Sequence, residues 1–175
     1  MPFGILIKNH NYFRKKSSQY KREPHLSAAK YFYKVLNPTV TSILQSKLHT
    51  LLSKQLMIVF FKGKKTGRSL STPVRYLQQG NKVSCLTVQH YPWYKNFTQI
   101  ANVELLITGK IYSATAQSYI LSSYAKAGVS TFLSAHPKDA LIYGIKMDKN
   151  TKQPQSASLE AALHKIVYIE FLLND

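Results

Sequence analysis

The stretch that decides the fold runs from residue 56 to residue 88 and reads LMIVFFKGKKTGRSLSTPVRYLQQGNKVSCLTV. It opens with a continuous apolar run, which is typical of a strand buried on both faces. Pro73 interrupts the second apolar segment, as expected at an edge strand or a bulge, because proline lacks the N–H that a strand ladder uses. Gly80 and Asn81 then turn the chain into a third segment. The stretch therefore predicts three adjacent strands that form a meander.

The same patterns extend this prediction along the chain. Six strands are expected, at residues 56–62, 70–77, 82–88, 104–108, 111–119 and 166–172. A short helix is expected to open at Pro92 and to end near Ala101 and Asn102, and further helices are expected at 122–136 and 159–163. Residues 148–158 are polar and predict an exposed loop. These elements indicate an α+β fold that is mainly β, with about six mostly antiparallel strands in a small barrel or strongly curled sheet and peripheral helices outside.

The N-terminal part of the chain differs in character from the rest. Residues 1–25 form a basic arm with little to pack against, which favours mobility. Residues 26–36 read as a first helix, and Asn37-Pro38 suits the start of a second, because Asn caps free N–H groups and Pro fits the first turn. Apolar residues follow at helical spacing over 40–52. We expect residues 26–175 to form a single domain, with strands from about residue 55 after an N-terminal helical, basic extension.

Composition limits the classes of protein to which the chain can belong. Of its 175 residues 45% are apolar, which is typical of a globular domain. The longest apolar run is too short to cross a bilayer, and residues 1–8 lack the features of a secretory signal, so a cytoplasmic protein is expected. The single cysteine, Cys85, excludes an intrachain disulfide and a cysteine-based metal site, and its apolar surroundings predict a buried, inert thiol. The histidines show no metal-binding spacing, so no metal is expected.

The charge is the strongest compositional signal. The chain carries 24 Lys and Arg against 7 Asp and Glu, a formal net charge of +17. Such an excess suggests an anionic partner, and the candidates are a phosphorylated cofactor, an acidic lipid surface and nucleic acid; solubility alone is the plainer alternative. An amphipathic helix over 40–52 could lie on an anionic membrane surface or simply pack on the core. Nucleic acid is the least favoured partner, because no recognition motif is present and the tyrosines are spread along the chain.

Several motifs occur in a fixed order between residues 37 and 120. They are Gly63-Lys64-Lys65-Thr66-Gly67-Arg68, then Thr72-Pro73, Trp93-Tyr94-Lys95-Asn96-Phe97, Ala101-Asn102 and Ser113-Ala114-Thr115-Ala116. In this order the segment resembles the deazaflavin-dependent nitroreductase family, whose members share a split β-barrel. The resemblance implies that fold and hydride transfer, because family enzymes use the reduced deazaflavin coenzyme F-420 to reduce quinones or nitro compounds. Related split barrels bind FMN and often form a homodimer with the cofactor at the interface.

The resemblance also assigns a cofactor site. Its residues here are Lys64, Lys65, Thr66, Gly67, Arg68, Thr72, Pro73, Thr87, Val88, Gln89, Trp93 and Asn96. Basic side chains in a glycine-bounded turn suit a phosphate, although an ordinary hairpin turn would look the same. Trp93 could stack on a ring or pack in the core, and Asn96 could bind a ligand or anchor its loop. His90 is a candidate proton donor, and the alternative is an exposed loop histidine.

The leading hypothesis is therefore a flavin- or deazaflavin-dependent reductase that transfers a hydride to a small-molecule electron acceptor. Two departures from the family pattern favour an alternative. Leu70 stands where the family usually has a basic residue, and the loop at residues 89–92 is short and has no glycine. The alternative is a split barrel that has lost its cofactor and binds an anionic membrane surface or a lipid-like ligand.

Overall fold

The computed structural model describes residues 55–174. Within this range seven strands form one sheet in the order β2-β1-β5-β6-β7-β4-β3. All neighbouring strands pair antiparallel. The strands are β1 (Leu56–Lys62), β2 (Ser69–Arg75), β3 (Leu77–Gln79), β4 (Lys82–Val88), β5 (Ala101–Ile107), β6 (Lys110–Tyr119) and β7 (Ile166–Leu173).

The two edge strands of this sheet are consecutive in the chain. Only Tyr76 separates β2, which pairs along its whole length with β1, from β3, which pairs with β4. The segment thus leaves one edge of the sheet and joins the other, which closes the curled sheet into a split β-barrel. Pro73 lies in β2, where a missing N–H leaves no gap in a central ladder.

The barrel interior is filled by apolar side chains from alternate positions of the strands and from one short helix. This barrel core consists of Met57, Val59, Phe61, Val83, Cys85, Tyr94, Phe97, Val103, Leu105, Ile107, Ala114, Ala116, Val167, Ile169 and Phe171. The outward residues of β7 are also buried, because Ile166 and Tyr168 pack in a second cluster beneath the helices. Burial on both faces explains why β7 has a nearly continuous apolar sequence.

Four helices occur in the described region, and all except Pro92–Phe97, which packs Tyr94 and Phe97 into the barrel core, cover the outer face of β4 and β7. They are α1 (Ser123–Ala135), α2 (Ser156–Leu163) and two 3-10 helices, Pro92–Phe97 and Pro137–Tyr143. Ser122 caps α1, because its side chain accepts a hydrogen bond from the Ala125 N–H at 3.0 Å. Val129, Phe132 and Leu133 form the buried face of α1. The outer layer is therefore an apolar contact between helices and sheet.

The fold class predicted from the sequence is confirmed, and the differences are local. The chain breaks at Tyr76 where one strand was expected, so six predicted strands become seven. The short helix ends at Phe97, and Ala101 and Asn102 belong to β5, where they pair with β6. The 3-10 helix Pro137–Tyr143 was not predicted as a separate element.

The N-terminal predictions lie outside the described residues. These are the basic arm at residues 1–25, the first helix at 26–36 and the amphipathic helix over 40–52. Among residues 55–174, no helix has the length and apolar character needed to cross a membrane.

Candidate functional site

The basic turn, residues 63–68, joins β1 to β2 at one end of the barrel. Gly67 adopts a φ of 65°, a left-handed conformation that glycine reaches without strain. The turn is closed by hydrogen bonds from Gly63 N to Arg68 O at 2.8 Å and from Gly67 N to Gly63 O at 2.7 Å. Thr66 N also donates to Gly63 O, and Arg68 N donates to Thr66 Oγ1. Because these amides already donate within the turn, an anion bound here would be held chiefly by side chains.

A chain of hydrogen bonds ties this turn to two other predicted site segments. Lys64 N donates to Asn96 Oδ1 at 2.7 Å, and Asn96 Nδ2 donates to Trp93 O at 2.7 Å. Trp93 Nε1 in turn donates to Thr87 Oγ1 at 3.1 Å. The structure therefore brings together four predicted residues in one unit, which we term the barrel-end cluster (Lys64, Thr87, Trp93 and Asn96).

The ring of Trp93 closes the barrel at this end. It is half-buried and lies edge-on to Phe97, with ring centroids 5.7 Å apart, and 6.2 Å from the ring of Phe61. The neighbouring Tyr94 is buried in the barrel core. Both polar groups of the Asn96 side chain are used within the protein, so this residue anchors the loop. The ring of Trp93 thus presents its remaining exposed surface from a fixed position.

Positive charge surrounds the barrel-end cluster. Five basic side chains are exposed on the basic turn, on the end of β1 before it and on the helix bound to it: Lys62, Lys64, Lys65, Arg68 and Lys95. Lys64 Nζ donates to Gln99 Oε1 at 3.0 Å. The sequence contains no Asp or Glu between Glu23 and Glu104. Glu104 lies on β5 opposite Phe60, but the five exposed cations outnumber it, so this end of the barrel attracts anions.

Other predicted site residues lie further from the turn. Thr72 is half-buried in β2 opposite Val59, on the side that faces the barrel interior, whereas Pro73 is exposed and lies opposite Ile58. Val88 is the last residue of β4 and pairs with the first residue of β7. The structure does not bring these residues into the hydrogen bonds of the barrel-end cluster.

The loop after β4 makes its own contacts. Gln89 N donates to Lys165 O at 2.9 Å, and Gln89 Nε2 donates to His164 O at 2.7 Å, which fixes Gln89 against the segment before β7. His90 is exposed, and its ring lies 5.4 Å from that of Tyr91. His90 is thus accessible to solvent and carries no hydrogen bond that would orient it for proton transfer within the described part of the chain.

A second polar group, not predicted from the sequence, lies on the face of β4 that points away from the barrel interior. A cavity of about 170 Å³ opens there between the sheet and α1, lined by Gln79, Lys82, Ser84, Tyr124, Ala127, Gly128, Thr131 and Tyr168. Beside it, one oxygen of Glu170 accepts hydrogen bonds from Tyr124 Oη at 2.6 Å and from Tyr168 Oη at 3.2 Å. Lys82 Nζ lies 3.1 Å from the same oxygen. The one available signal was a carboxylate inside the otherwise apolar β7.

Charges in this second group offset one another. Burial, with the charge of Glu170 as a further cause, raises the pKa of Tyr168 to about 12. Hydrogen bonds from Lys82 to Tyr124 and to Glu170 hold the pKa of the Lys82 ammonium above its usual value. Tyr168 thus stays neutral and Lys82 stays charged at neutral pH. This network stabilises the contact between α1 and the sheet.

The described region contains no cluster of side chains that could bind a metal ion. Among residues 55–174, no three His, Cys, Asp or Glu side chains lie close enough together to hold a metal ion. Cys85 is fully buried in the barrel core, and burial raises the pKa of its thiol. The thiol is therefore protonated and shielded from reagents in the folded state.

Comparisons with known proteins give matches in shape only. No protein-family model matches the sequence, and no curated protein matches it. One similar solved structure is a candidate pyridoxamine 5′-phosphate oxidase from Listeria innocua, at 10% identity over 73% of this chain and 90% of that chain, with a TM-score of 0.45. Another is an FAD and heme binding protein from Mycobacterium smegmatis, at 13% identity over 74% of this chain and 66% of that chain, with a TM-score of 0.43. A third is an F420 reductase, at 9% identity over 75% of this chain and 95% of that chain, with a TM-score of 0.37.

Proposed function

We propose that the protein is a flavin- or deazaflavin-dependent reductase. It would transfer a hydride between a reduced cofactor, F-420 or FMN, and a small electron-poor acceptor such as a quinone or a nitro compound. The observation that carries the proposal is the cationic end of the barrel, where exposed basic side chains surround a fixed tryptophan with no acidic residue in the flanking sequence. A phosphorylated, planar ligand needs those two features side by side.

The residues of this end fit the phosphorylated part of such a cofactor. Lys65 and Arg68 are exposed on the basic turn and can form charge-assisted hydrogen bonds to phosphate oxygens. The amides of Gly63, Thr66, Gly67 and Arg68 donate within the turn and that of Lys64 donates to Asn96, so the binding energy would come chiefly from the side chains. The half-buried ring of Trp93 offers an apolar surface linked to the same turn through Asn96.

The division of chemical work follows from this arrangement. When bound, the cofactor would supply the hydride, which amino-acid side chains cannot do. Lys65 and Arg68 would offset the negative charge of its phosphate, and Trp93 would shield one side of its ring. Reduction of a quinone to a hydroquinone also takes up a proton, which exposed His90 or solvent could deliver.

Thermal denaturation of the full-length protein with FMN, FAD and F-420 tests the proposal. A ligand that binds only the folded state stabilises it by about 2.7 kcal/mol at a hundredfold excess over its dissociation constant. Riboflavin serves as the matched ligand without phosphate, and it should give a smaller shift than FMN. If none of the three cofactors raises the melting temperature of folded protein at saturation, the reductase proposal is wrong.

A pair of matched variants locates the site. K65A/R68A removes two cations from the basic turn, whereas K149A/K152A removes two exposed cations from the loop before α2. Both variants therefore have the same net charge. We expect the first variant to lose at least tenfold in cofactor affinity, since each charge-assisted bond is worth about 1.5–3 kcal/mol. The second variant should bind like the wild type. Equal losses in both would show that net charge alone draws the cofactor.

A second candidate function is a barrel without a cofactor that binds an anionic surface or a lipid-like ligand. The engaged amides of the basic turn favour it, because a dedicated phosphate site would be expected to keep several amides free. Vesicle binding that depends on salt, in a protein whose melting temperature no cofactor changes, would select this candidate over the reductase.

A further inference from the structure

Two large aliphatic side chains project into solvent from the 3-10 helix Pro137–Tyr143. Leu141 is 86% exposed and Ile142 is 75% exposed, the highest values among the large apolar residues of the described region. We term these two side chains the aliphatic tip. Single exposed leucines are common on protein surfaces, but two adjacent residues at this level of exposure form a small apolar projection.

The backbone holds the aliphatic tip in a fixed position. Ala140 precedes it and Ile145 follows it, and both are buried in the cluster beneath the helices. Ile145 N donates to Ala140 O at 2.9 Å and Gly144 N donates to Leu141 O at 3.1 Å, with Gly144 at a φ of 68°. This arrangement is a Schellman-type helix end, in which a left-handed glycine reverses the chain. The tip is thus built on two buried anchors.

Positive charge flanks the aliphatic tip. Residues three apart in a 3-10 helix are eclipsed, so Lys138 lies on the same side of the helix as Leu141. Lys146, which follows the buried Ile145, is also exposed. The one acidic residue of the helix, Asp139, is neutralised by Arg75, whose Nε lies 3.3 Å from its carboxylate. The tip therefore combines apolar contact area with unneutralised lysines.

We propose that the aliphatic tip inserts into the headgroup region of an anionic lipid bilayer. The lysines would meet lipid phosphates while Leu141 and Ile142 reach the acyl boundary, which is the pattern of a shallow interfacial anchor. The net charge of +17 would bring the protein to such a surface from a distance. The aliphatic tip lies far in sequence from the basic turn, and its insertion does not require a bound cofactor.

A second copy of the chain fits the aliphatic tip less well. A stable protein interface buries about 800 Å² on each partner, far more than two side chains supply. Two tips brought together would also face lysine against lysine, and like charges at close range oppose association. A lipid surface needs only a few apolar side chains when charge attraction adds to them.

Binding of the full-length protein to vesicles tests the inference. Vesicles of phosphatidylcholine with phosphatidylglycerol are compared with vesicles of phosphatidylcholine alone, by co-sedimentation. We expect L141A/I142A to lower the partition coefficient on anionic vesicles by at least tenfold, since the variant lacks the two aliphatic side chains that would enter the bilayer. The matched control is I100A, which removes an apolar side chain that is 69% exposed elsewhere, and it should bind like the wild type.

A site-specific probe separates insertion from attraction by charge alone. Cys85 is fully buried, so a cysteine introduced by I142C can be labelled with an environment-sensitive dye in native protein. On anionic vesicles the label should shift to the blue and be quenched by lipids that carry a quencher on the acyl chain. The same label at I100C should show neither change.

Three outcomes would overturn the inference. The first is equal binding of L141A/I142A and the wild type, and the second is an unquenched label at I142C on bound vesicles. The third is a dimer of the wild-type protein, measured by size exclusion with light scattering, that L141A/I142A abolishes while vesicle binding persists. Circular dichroism of each variant checks that the fold is intact. We expect it to be, because substitutions of exposed side chains have little effect on stability.

Discussion

The backbone N–H of Lys64 donates to the side-chain oxygen of Asn96 at 2.7 Å, so the basic turn and the 3-10 helix Pro92–Phe97 are held as one body. N96A would remove the hydrogen bond that the Lys64 amide donates and the one that the Trp93 carbonyl accepts from the Asn96 side chain. We expect a loss of about 1–3 kcal/mol in the free energy of unfolding, measured by urea denaturation. Q99A removes only the exposed bond to Lys64 Nζ and should cost well under half as much. Equal losses in the free energy of unfolding for N96A and Q99A would show that Asn96 does not anchor the loop.

Gly128 lies against the ring of Tyr168, and this contact predicts an unusual response to substitution. A Cβ at residue 128 would lie 2.5 Å from Tyr168 Cζ, closer than van der Waals contact allows. G128A should therefore destabilise the protein by about 1–3 kcal/mol, although alanine favours helix by about 1 kcal/mol over glycine. In a Y168A background the same change should be neutral or stabilising. Thermal melts of the four proteins in this cycle give the coupling, and additive effects would contradict the prediction.

Cys85 should be chemically silent in the folded protein. It is fully buried, and burial raises the pKa of its thiol, so neither access nor thiolate is available. We expect no reaction with a thiol reagent under native conditions and one thiol per chain in strong denaturant. Rapid labelling of native protein would show that the barrel opens on the timescale of the reaction.

Asp148 should make stability depend on pH in the acid range. Its carboxylate accepts hydrogen bonds from Thr151 N at 2.8 Å, from Thr151 Oγ1 at 3.0 Å and from Asn150 N at 2.9 Å, which hold its pKa below the usual 3.8. Because the pKa of Asp148 is lower in the folded protein than in the unfolded chain, its ionised carboxylate stabilises the fold at any pH above the unfolded pKa. This stabilisation is lost as the pH falls through the folded pKa. The melting temperature of the wild type should therefore exceed that of D148N at neutral pH.

The difference between the two proteins should narrow once the pH falls below about 4, because the carboxylate of the wild type then takes up a proton. Melting temperatures of both proteins, recorded from neutral pH to about pH 2.5, check this expectation. A gap that stays constant over the whole range would show that the charge of Asp148 does not contribute.

The strands were predictable because runs of apolar residues in the sequence indicate which segments are buried. Residues 56–61 are apolar in succession, and β1 is buried on both faces over most of its length. The break at Tyr76 was not predictable, because the residues on either side of it have the same strand-like character. β2 and β3 are separate strands because β2 pairs with β1, whereas β3 pairs with β4. The local pattern of apolar residues does not indicate with which strand a segment pairs.

Four of the predicted site residues are neighbours in the structure, but the hydrogen bonds that join them were not predictable. The resemblance singled out Lys64, Thr87, Trp93 and Asn96, and the structure joins them. That Lys64 contributes its backbone amide to this unit could not be read from residue types, because every residue except proline carries that donor. The contact between Gly128 and Tyr168 was missed for a related reason, since it joins positions far apart in the chain.

The position of β7 has a consequence for how the chain is made. In the sheet β7 lies between β6 and β4, so its hydrogen bonds join the four strands β2-β1-β5-β6 to the hairpin of β4 with β3. It is also the last strand of the described region to leave the ribosome. Until then the nascent chain holds two incomplete sheets with exposed edges, each open to pairing with another chain. Barrel assembly is therefore tied to the end of synthesis of this region, and a chain that stops short of Ile166 should be recovered as aggregate.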